Sequence, residues 1–185
     1  MSALEALRQS LPDAAKDIKL NLEAVVMRAG LLTPAQRWGI AAASAYAARN
    51  PQLTQAIVAE ASGQVEPNVL EDAKAAAALM AMNNVFYRFR HMIGKASYEQ
   101  KPARLRMNRL AQPLGSKVDF ELTSLAVSAI NGCEACVKAH EKVVLEGGLT
   151  EDHVHEAVRI AAVVNAAAVA LELNVDASGQ VSTAA

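Results

Sequence analysis

Only two cysteines, one tryptophan and 4% aromatic residues are present, and neither sign of charge prevails, the formal net charge being −1. Each scarcity excludes something. With few aromatics and a hydrophobic content of 52%, the core must be built from Ala, Val, Leu and Ile. Alanine dominates; it is the best helix former and its small side chain lets helices approach closely, so an all-α fold is expected and no sheet. Near-neutral charge leaves no electrostatic footprint for nucleic acid. The start Met1-Ser2-Ala3-Leu4-Glu5 lacks a cationic region followed by an apolar one, so no secretory signal is read and a cytoplasmic location is expected. The longest apolar run, Ile160 to Leu171, is broken by Asn165 and falls short of the roughly 20 residues of a spanning helix. It reads as a buried core helix, and no membrane association is expected. Nothing resembles a phosphate-cradling loop or a dinucleotide fingerprint, so no tightly bound cofactor is expected and reducing power should arrive through another thiol. Two cysteines in a cytosolic chain make a poor structural staple, because that compartment keeps thiols reduced.

A length of 185 residues suits one compact helical bundle, expected over residues 1–174 with a disordered tail at 175–185. Helical punctuation recurs along the chain. Leu4, Leu7 and Leu11 suggest a short first helix, and Pro12 can open a second that buries Ile18, Leu22, Val25 and Val26 before Gly30. Thr33-Pro34 reads as N-cap and first helical residue of a helix that Asn50-Pro51 stops, another runs to Gly63, and Pro67 opens a long one that Gly94 closes. A connector from Gly94 to Pro102, a short basic helix from Arg104 to Leu110, and helices over Lys117 to Ile130, Cys133 to Glu146 and from Thr150 onward complete the expectation. A faint internal repeat at an offset of about 84 residues pairs Ser44 with Ser128 and Gly63 with Gly147. It places Cys133, Cys136 and His140 opposite Arg49, Gln52 and Ala56, so only the second half carries chemistry.

That chemistry lies in Asn131-Gly132-Cys133-Glu134-Ala135-Cys136-Val137-Lys138-Ala139-His140. Asn131 with Glu134 three residues on has the capping-box pattern, which puts both cysteines in the opening turns of a helix. Residues three apart share a helix face, so the sulfurs can meet, and the positive end of the helix dipole favours a thiolate there. His140 is four residues after Cys136, its natural neighbour, but about 10 Å of helix rise from Cys133. Position in the first turn favours Cys133 as the thiolate, the basic partner favours Cys136, and geometry leans to Cys136. Gly132 can turn the chain between antiparallel helices. Glu121 then lies about 16 Å before the turn and His140 about 12 Å after it, at similar depth. A Glu121–His140 hydrogen bond would orient the imidazole and raise its basicity, giving a relay of Glu121, His140 and Cys136 with Cys133 as disulfide partner.

These residues, Glu121, Cys133-Glu134-Ala135-Cys136 and His140, together with Met82 to His91, resemble the AhpD family of alkylhydroperoxidases, within the wider carboxymuconolactone decarboxylase-like fold. The resemblance implies an antioxidant thiol enzyme that reduces a partner peroxiredoxin, AhpC, and is re-reduced through protein-bound dihydrolipoamide. It implies that Cys136 is the nucleophile, passing through a sulfenic acid or mixed disulfide. By the same resemblance Cys133 is proton donor and resolving thiol, a Cys133–Cys136 disulfide closes the cycle, and the assembly is a homotrimer. Some members carry His directly before the second cysteine where this chain has Ala135. One proton carrier is thereby lost, which weakens any direct hydroperoxide reduction.

Rival readings have their own signatures. Cys133, Cys136, His140 and Glu121 match in number the four ligands of tetrahedral zinc, although such sites more often use two paired motifs. A c-type haem is excluded because Val137 follows Cys136. A helical interaction protein would show no redox turnover, and a decarboxylase of the wider fold would not need both cysteines. His91, beside Arg88 and Arg90, suits a helix-end or subunit anchor, and His153 and His155 a solvated first turn.

Overall fold

The computed structural model describes residues 1–173, and the tail expected at 175–185 lies outside the described residues. Within them the elements are helical, with no strand. The helices are α1 (Ala3–Ser10), α2 (Lys16–Asn21), α3 (Pro34–Ala48), α4 (Pro51–Ser62), α5 (Pro67–Ile93), α6 (Ala96–Glu99), α7 (Asn108–Ala111), α8 (Lys117–Ile130), α9 (Glu134–Glu146) and α10 (Glu151–Glu172).

Local chemistry sets most boundaries. Thr33 and Gln36 form a reciprocal capping box in front of Pro34, and the Asn50 side chain accepts from the Leu53 amide in front of Pro51. Proline at the first helical position leaves no amide unpaired, so α3, α4 and α5 all begin on one. Gly94, at φ +59°, terminates α5 in the left-handed region.

α3 and α8 occupy the centre. Every residue from Gln36 to Ala45 in α3 and from Phe120 to Ser128 in α8 is buried, so both helices are covered all round. The two pack on each other, and α5 and α10 each lie against both. Close approach depends on small residues: a Cβ at Gly39 would stand 3.3 Å from Val69 of α5. α10 is apolar enough by composition to span a membrane, yet Ala157, Ile160, Val164, Ala167 and Leu171 are buried in this core. α9 packs chiefly against α8 and α5. The starts of α3, α4 and α5 precede those of α8, α9 and α10 by 83, 83 and 84 residues.

Three expectations need correction. The helix opening at Pro12 is a 3-10 turn at Asp13–Ala15, then α2, then a π segment at Leu22–Met27 in which the Arg28 amide reaches back to Glu23. The wider ring ends the segment at Met27, and Leu22 and Val26 are fully buried while Ile18 and Val25 only flank the core. The basic helix over Arg104 to Leu110 shrinks to α7, because Arg104 sits at φ +51° and breaks any regular ladder. The Gly94 to Pro102 connector contains the single turn α6.

Leu122 is fully buried in α8. Truncation to Ala is expected to lower unfolding free energy by about 2–5 kcal/mol, because a cavity opens between two covered helices. Urea denaturation followed by circular dichroism measures this.

Candidate active site

The turn between α8 and α9 fixes the site. Gly132, at φ +65°, follows Asn131; its amide donates to Ala129 O, and the Cys133 amide donates to Ser128 O, each at 3.1 Å. Paired bonds of this kind around a left-handed glycine close a helix end tightly. Cys133 therefore ends one helix and begins the next, as N-cap of α9 with its carbonyl accepting from the Val137 amide at 2.9 Å. This corrects the capping-box reading. Asn131 closes α8, and Glu134 at the first position of α9 pairs with Lys138 at 2.5 Å and His91 at 3.3 Å. His91 thus ties the end of α5 to the start of α9.

Asn131 is engaged elsewhere. Its Nδ2 donates to Asn84 Oδ1 at 2.8 Å, Asn84 Nδ2 donates to Ser128 Oγ at 2.9 Å, and Arg88 donates to the Asn131 carbonyl. Three residues of α5 and α8 thereby hold the turn from behind.

Cys133 and Cys136 are joined as a disulfide with Cα atoms 5.3 Å apart. The two sulfurs differ in surroundings. Cys133 is fully buried, whereas Cys136, in the first turn of α9, lines a cavity of about 250 Å³ with Asn83, Tyr87, Leu110, Ala139 and His140. Met107 and Leu110, at the start of α7 and within it, supply one wall from the stretch before α8. Buried Asp72 anchors that stretch: it accepts from Arg109 Nε and the Leu114 amide at 3.0 Å and from the Gly115 amide at 2.8 Å.

Glu121 and His140 meet as expected. His140 Nδ1 donates to Glu121 Oε2 at 2.5 Å across the hairpin, with both side chains buried. Lys117, one turn earlier on α8, pairs with the other carboxylate oxygen and also donates to the Leu110 carbonyl. Burial alone pushes the Glu121 carboxyl up, but the hydrogen bonds from His140 and Lys117 and the positive charge of Lys117 outweigh it, so its pKa falls below the ordinary 4.5. The other imidazole nitrogen, Nε2, faces Met80 Sδ at 3.3 Å. Among the described residues no hydrogen bond joins His140 to Cys136; the two share the cavity wall instead. Nor is any group of three or more His, Cys, Asp and Glu side chains arranged to hold a metal ion.

Lys117, Met80, Asn84 and Asn131 complete the site beyond the expected four residues. Lys117 could have been found from its i, i+4 spacing to Glu121. Met80 carries no such signal. His153 accepts from the Thr150 amide at 3.3 Å, so it caps α10 from an exposed position.

Comparison with known proteins places these features in a family. A family model described as the Carboxymuconolactone decarboxylase family matches residues 97–173. "Alkyl hydroperoxide reductase AhpD" from Anaeromyxobacter dehalogenans (strain 2CP-1) is 69% identical over 173 residues, covering 94% of this chain and 92% of the relative. The protein of that name from Anaeromyxobacter sp. (strain Fw109-5) is 60% identical over the whole of both chains. The one from Rhodospirillum centenum is 51% identical, covering 96% of this chain and 95% of the relative.

The sign of the Glu121 shift sets a pH dependence. A carboxyl whose folded pKa lies below its unfolded one contributes stability above the ordinary 4.5 and loses it as pH falls through the depressed value. Glu121→Gln is expected to be less stable than wild type by about 1–3 kcal/mol at neutral pH, with the gap narrowing below that window. Denaturant titrations at several acidic pH values measure it; a constant gap would contradict the assignment.

Proposed function

The chain belongs to the AhpD family of alkyl hydroperoxide reductases, and from that premise we propose that it is an antioxidant thiol-disulfide oxidoreductase working through Cys133 and Cys136. Its proposed task is to reduce the peroxiredoxin AhpC with electrons from dihydrolipoamide borne on a lipoylated protein. The observation that supports this most is asymmetric access: both cysteines are buried and their sulfurs bonded to each other, yet only Cys136 lines a cavity, beside an imidazole buttressed by a carboxylate.

In the proposed cycle a donor thiol loses its proton, to His140, and attacks Cys136 Sγ. A donor–Cys136 bond forms, the Cys133–Cys136 bond breaks, and Cys133 receives the electron pair and a proton. The donor's second thiol displaces Cys136 as thiolate and leaves the donor as a cyclic disulfide. Cys136 then attacks the peroxiredoxin disulfide, forming a Cys136–peroxiredoxin bond and expelling the other peroxiredoxin sulfur, which takes up a proton. Cys133, giving up its proton, attacks Cys136, re-forms the Cys133–Cys136 bond and releases the second peroxiredoxin thiol. Backbone amides at the start of α9 favour the Cys136 thiolate in both halves. Cys133 acts throughout as resolving thiol and proton donor. The Glu121 carboxylate, held by Lys117, fixes the imidazole tautomer with Nδ1 protonated, leaving Nε2 to take the proton. Since Nε2 rests on Met80 in the oxidised form, proton transfer at Cys136 requires the ring to shift within the cavity.

Direct hydroperoxide reduction is proposed to be weak, because Ala135 provides no second imidazole. The proposed setting is the cytosol and the proposed assembly a homotrimer. Val85, Phe89 and Met92, exposed on the second half of α5, offer association a surface to cover. The decarboxylase in the family model's description is the alternative; it has no use for a disulfide pair, and full activity in a double serine variant would favour it.

Reconstitution tests the proposal. Protein, dihydrolipoamide and oxidised AhpC should together remove peroxide, and Cys136→Ser or Cys133→Ser should abolish this. Cys133→Ser should additionally accumulate a mixed disulfide through Cys136, visible by mass spectrometry; trapping through Cys133 in the reciprocal variant would reverse the roles. His140→Phe should slow alkylation of the reduced pair at neutral pH by about 10²-fold, the scale of a lost general base, without unfolding the protein.

A further inference from the structure

Charge is spread unevenly along the chain. Residues 88–109 contain seven of the 18 Lys and Arg and one of the 19 Asp and Glu, so the remainder of a chain of net charge −1 is acidic. Three of the seven are spent within the fold: Arg88 on the Asn131 carbonyl, Arg90 on the Glu99 carbonyl and Arg109 on Asp72. Lys95, Lys101, Arg104 and Arg106 are exposed, and their side chains make no hydrogen bond or ion pair among the described residues.

The same stretch walls the cavity beside Cys136. Exposure alternates there: Ala103, Leu105 and Met107 are half-buried, while Arg104 and Arg106 stand in solvent. Met107 lines the cavity, and Arg90 lies 5.9 Å from the ring centre of Tyr87, which lines it too. The free cations thus occupy the outer side of one cavity wall. Asp72 and Glu134, the acids tied to this face, are already met by Arg109 and by Lys138 and His91. A cluster of one sign beside a reactive group raises the local concentration of partners of the other sign.

We infer that residues 95–106 are a docking surface for an acidic face of a protein that presents its sulfur pair to Cys136. This rests on the reading that Cys136 exchanges with a protein-borne dithiol or disulfide, and it adds how the carrier is recognised. A confined acidic patch suits the surface better than a nucleic-acid strand, because a long polyanion would run from the four free cations onto the acidic remainder of the chain. Exposed charges of this kind act chiefly on the rate of encounter.

Peptide dithiols test this on the oxidised, full-length protein. Three reduced peptides share one Cys-x-x-Cys core and are flanked by glutamates, serines or lysines. One peptide thiolate attacks Cys136 Sγ, the second closes the peptide disulfide, and two electrons and two protons pass to Cys133 and Cys136. Acid quenching and mass spectrometry give the rates. At low ionic strength the acidic peptide is expected to react about tenfold faster than the neutral one, and the lysine peptide more slowly than either. Salt near 1 M, where the screening length is about 3 Å, should remove the difference. The combined Lys101→Glu, Arg104→Glu and Arg106→Glu variant should lose the preference and keep the wild-type rate with dithiothreitol. The combined Lys101→Arg, Arg104→Lys and Arg106→Lys variant should retain it, and replacement of the three by Gln should abolish it should the Glu variant not fold. Equal rates for the three peptides, or a preference that survives charge removal, would overturn the docking surface. So would a changed oligomeric mass of the Glu variant in ultracentrifugation, which would assign these cations to contacts between copies, or tighter binding of a single-stranded DNA 12-mer than of the acidic peptide. A disulfide that neither the peptides nor dithiothreitol open would overturn the redox reading itself.

Discussion

A single hydrogen bond between two buried side chains, Glu121 on α8 and His140 on α9, sets the geometry of everything else at this site. Both residues lie in the interior, where an unpaired charge is costly, so each is tolerable only while the other is in place. Antiparallel helices joined by a tight turn keep them at equal depth. Gly132 makes that turn possible, because only a residue at ease with φ near +65° can close α8 and release Cys133 straight into α9. The imidazole is consequently held by Glu121 through Nδ1, and Lys117 favours the ionised carboxylate by occupying its second oxygen.

The same hairpin explains why two sulfurs three residues apart are chemically distinct. Cys133 belongs to the junction, with its amide spent on Ser128 and its side chain wholly enclosed. Cys136 belongs to the first turn of α9 and lines the cavity with Ala135 and Ala139. A polar chain from Arg88 through Asn131 and Asn84 to Ser128 braces the junction against α5. Reactivity is confined to one face of a rigid hairpin, and Asp72 secures the loop that walls that face.

Much of this was legible in the residues. Pro34 and Pro67 announced two helix starts and Asn50-Pro51 the end of one, and Lys117 and Ile130 bounded α8 where expected. The Glu121–His140 pair was anticipated from the Gly132 turn and helix rise, which set the two at similar depth, together with the family resemblance. Other features depend on competition that spacing does not encode. Asn131 has the pattern of an N-cap, but a glycine directly after it can end the preceding helix instead, and that closure consumed the amides. The π segment at Leu22–Met27 and the left-handed Arg104 have no counterpart in the hydrophobic spacing. Met80 touches His140 from sixty residues away, and nothing in a methionine among alanines signals it.

The central claim is that the Cys133–Cys136 bond opens and closes in use and is no permanent staple. Its reduction potential, measured by equilibration with dihydrolipoamide or glutathione buffers, tests this most directly. The account expects a reversible two-electron couple at roughly −200 to −300 mV, where thiol-exchange enzymes operate. A potential well below about −300 mV, in the range of structural disulfides, or a failure to titrate reversibly, would contradict it.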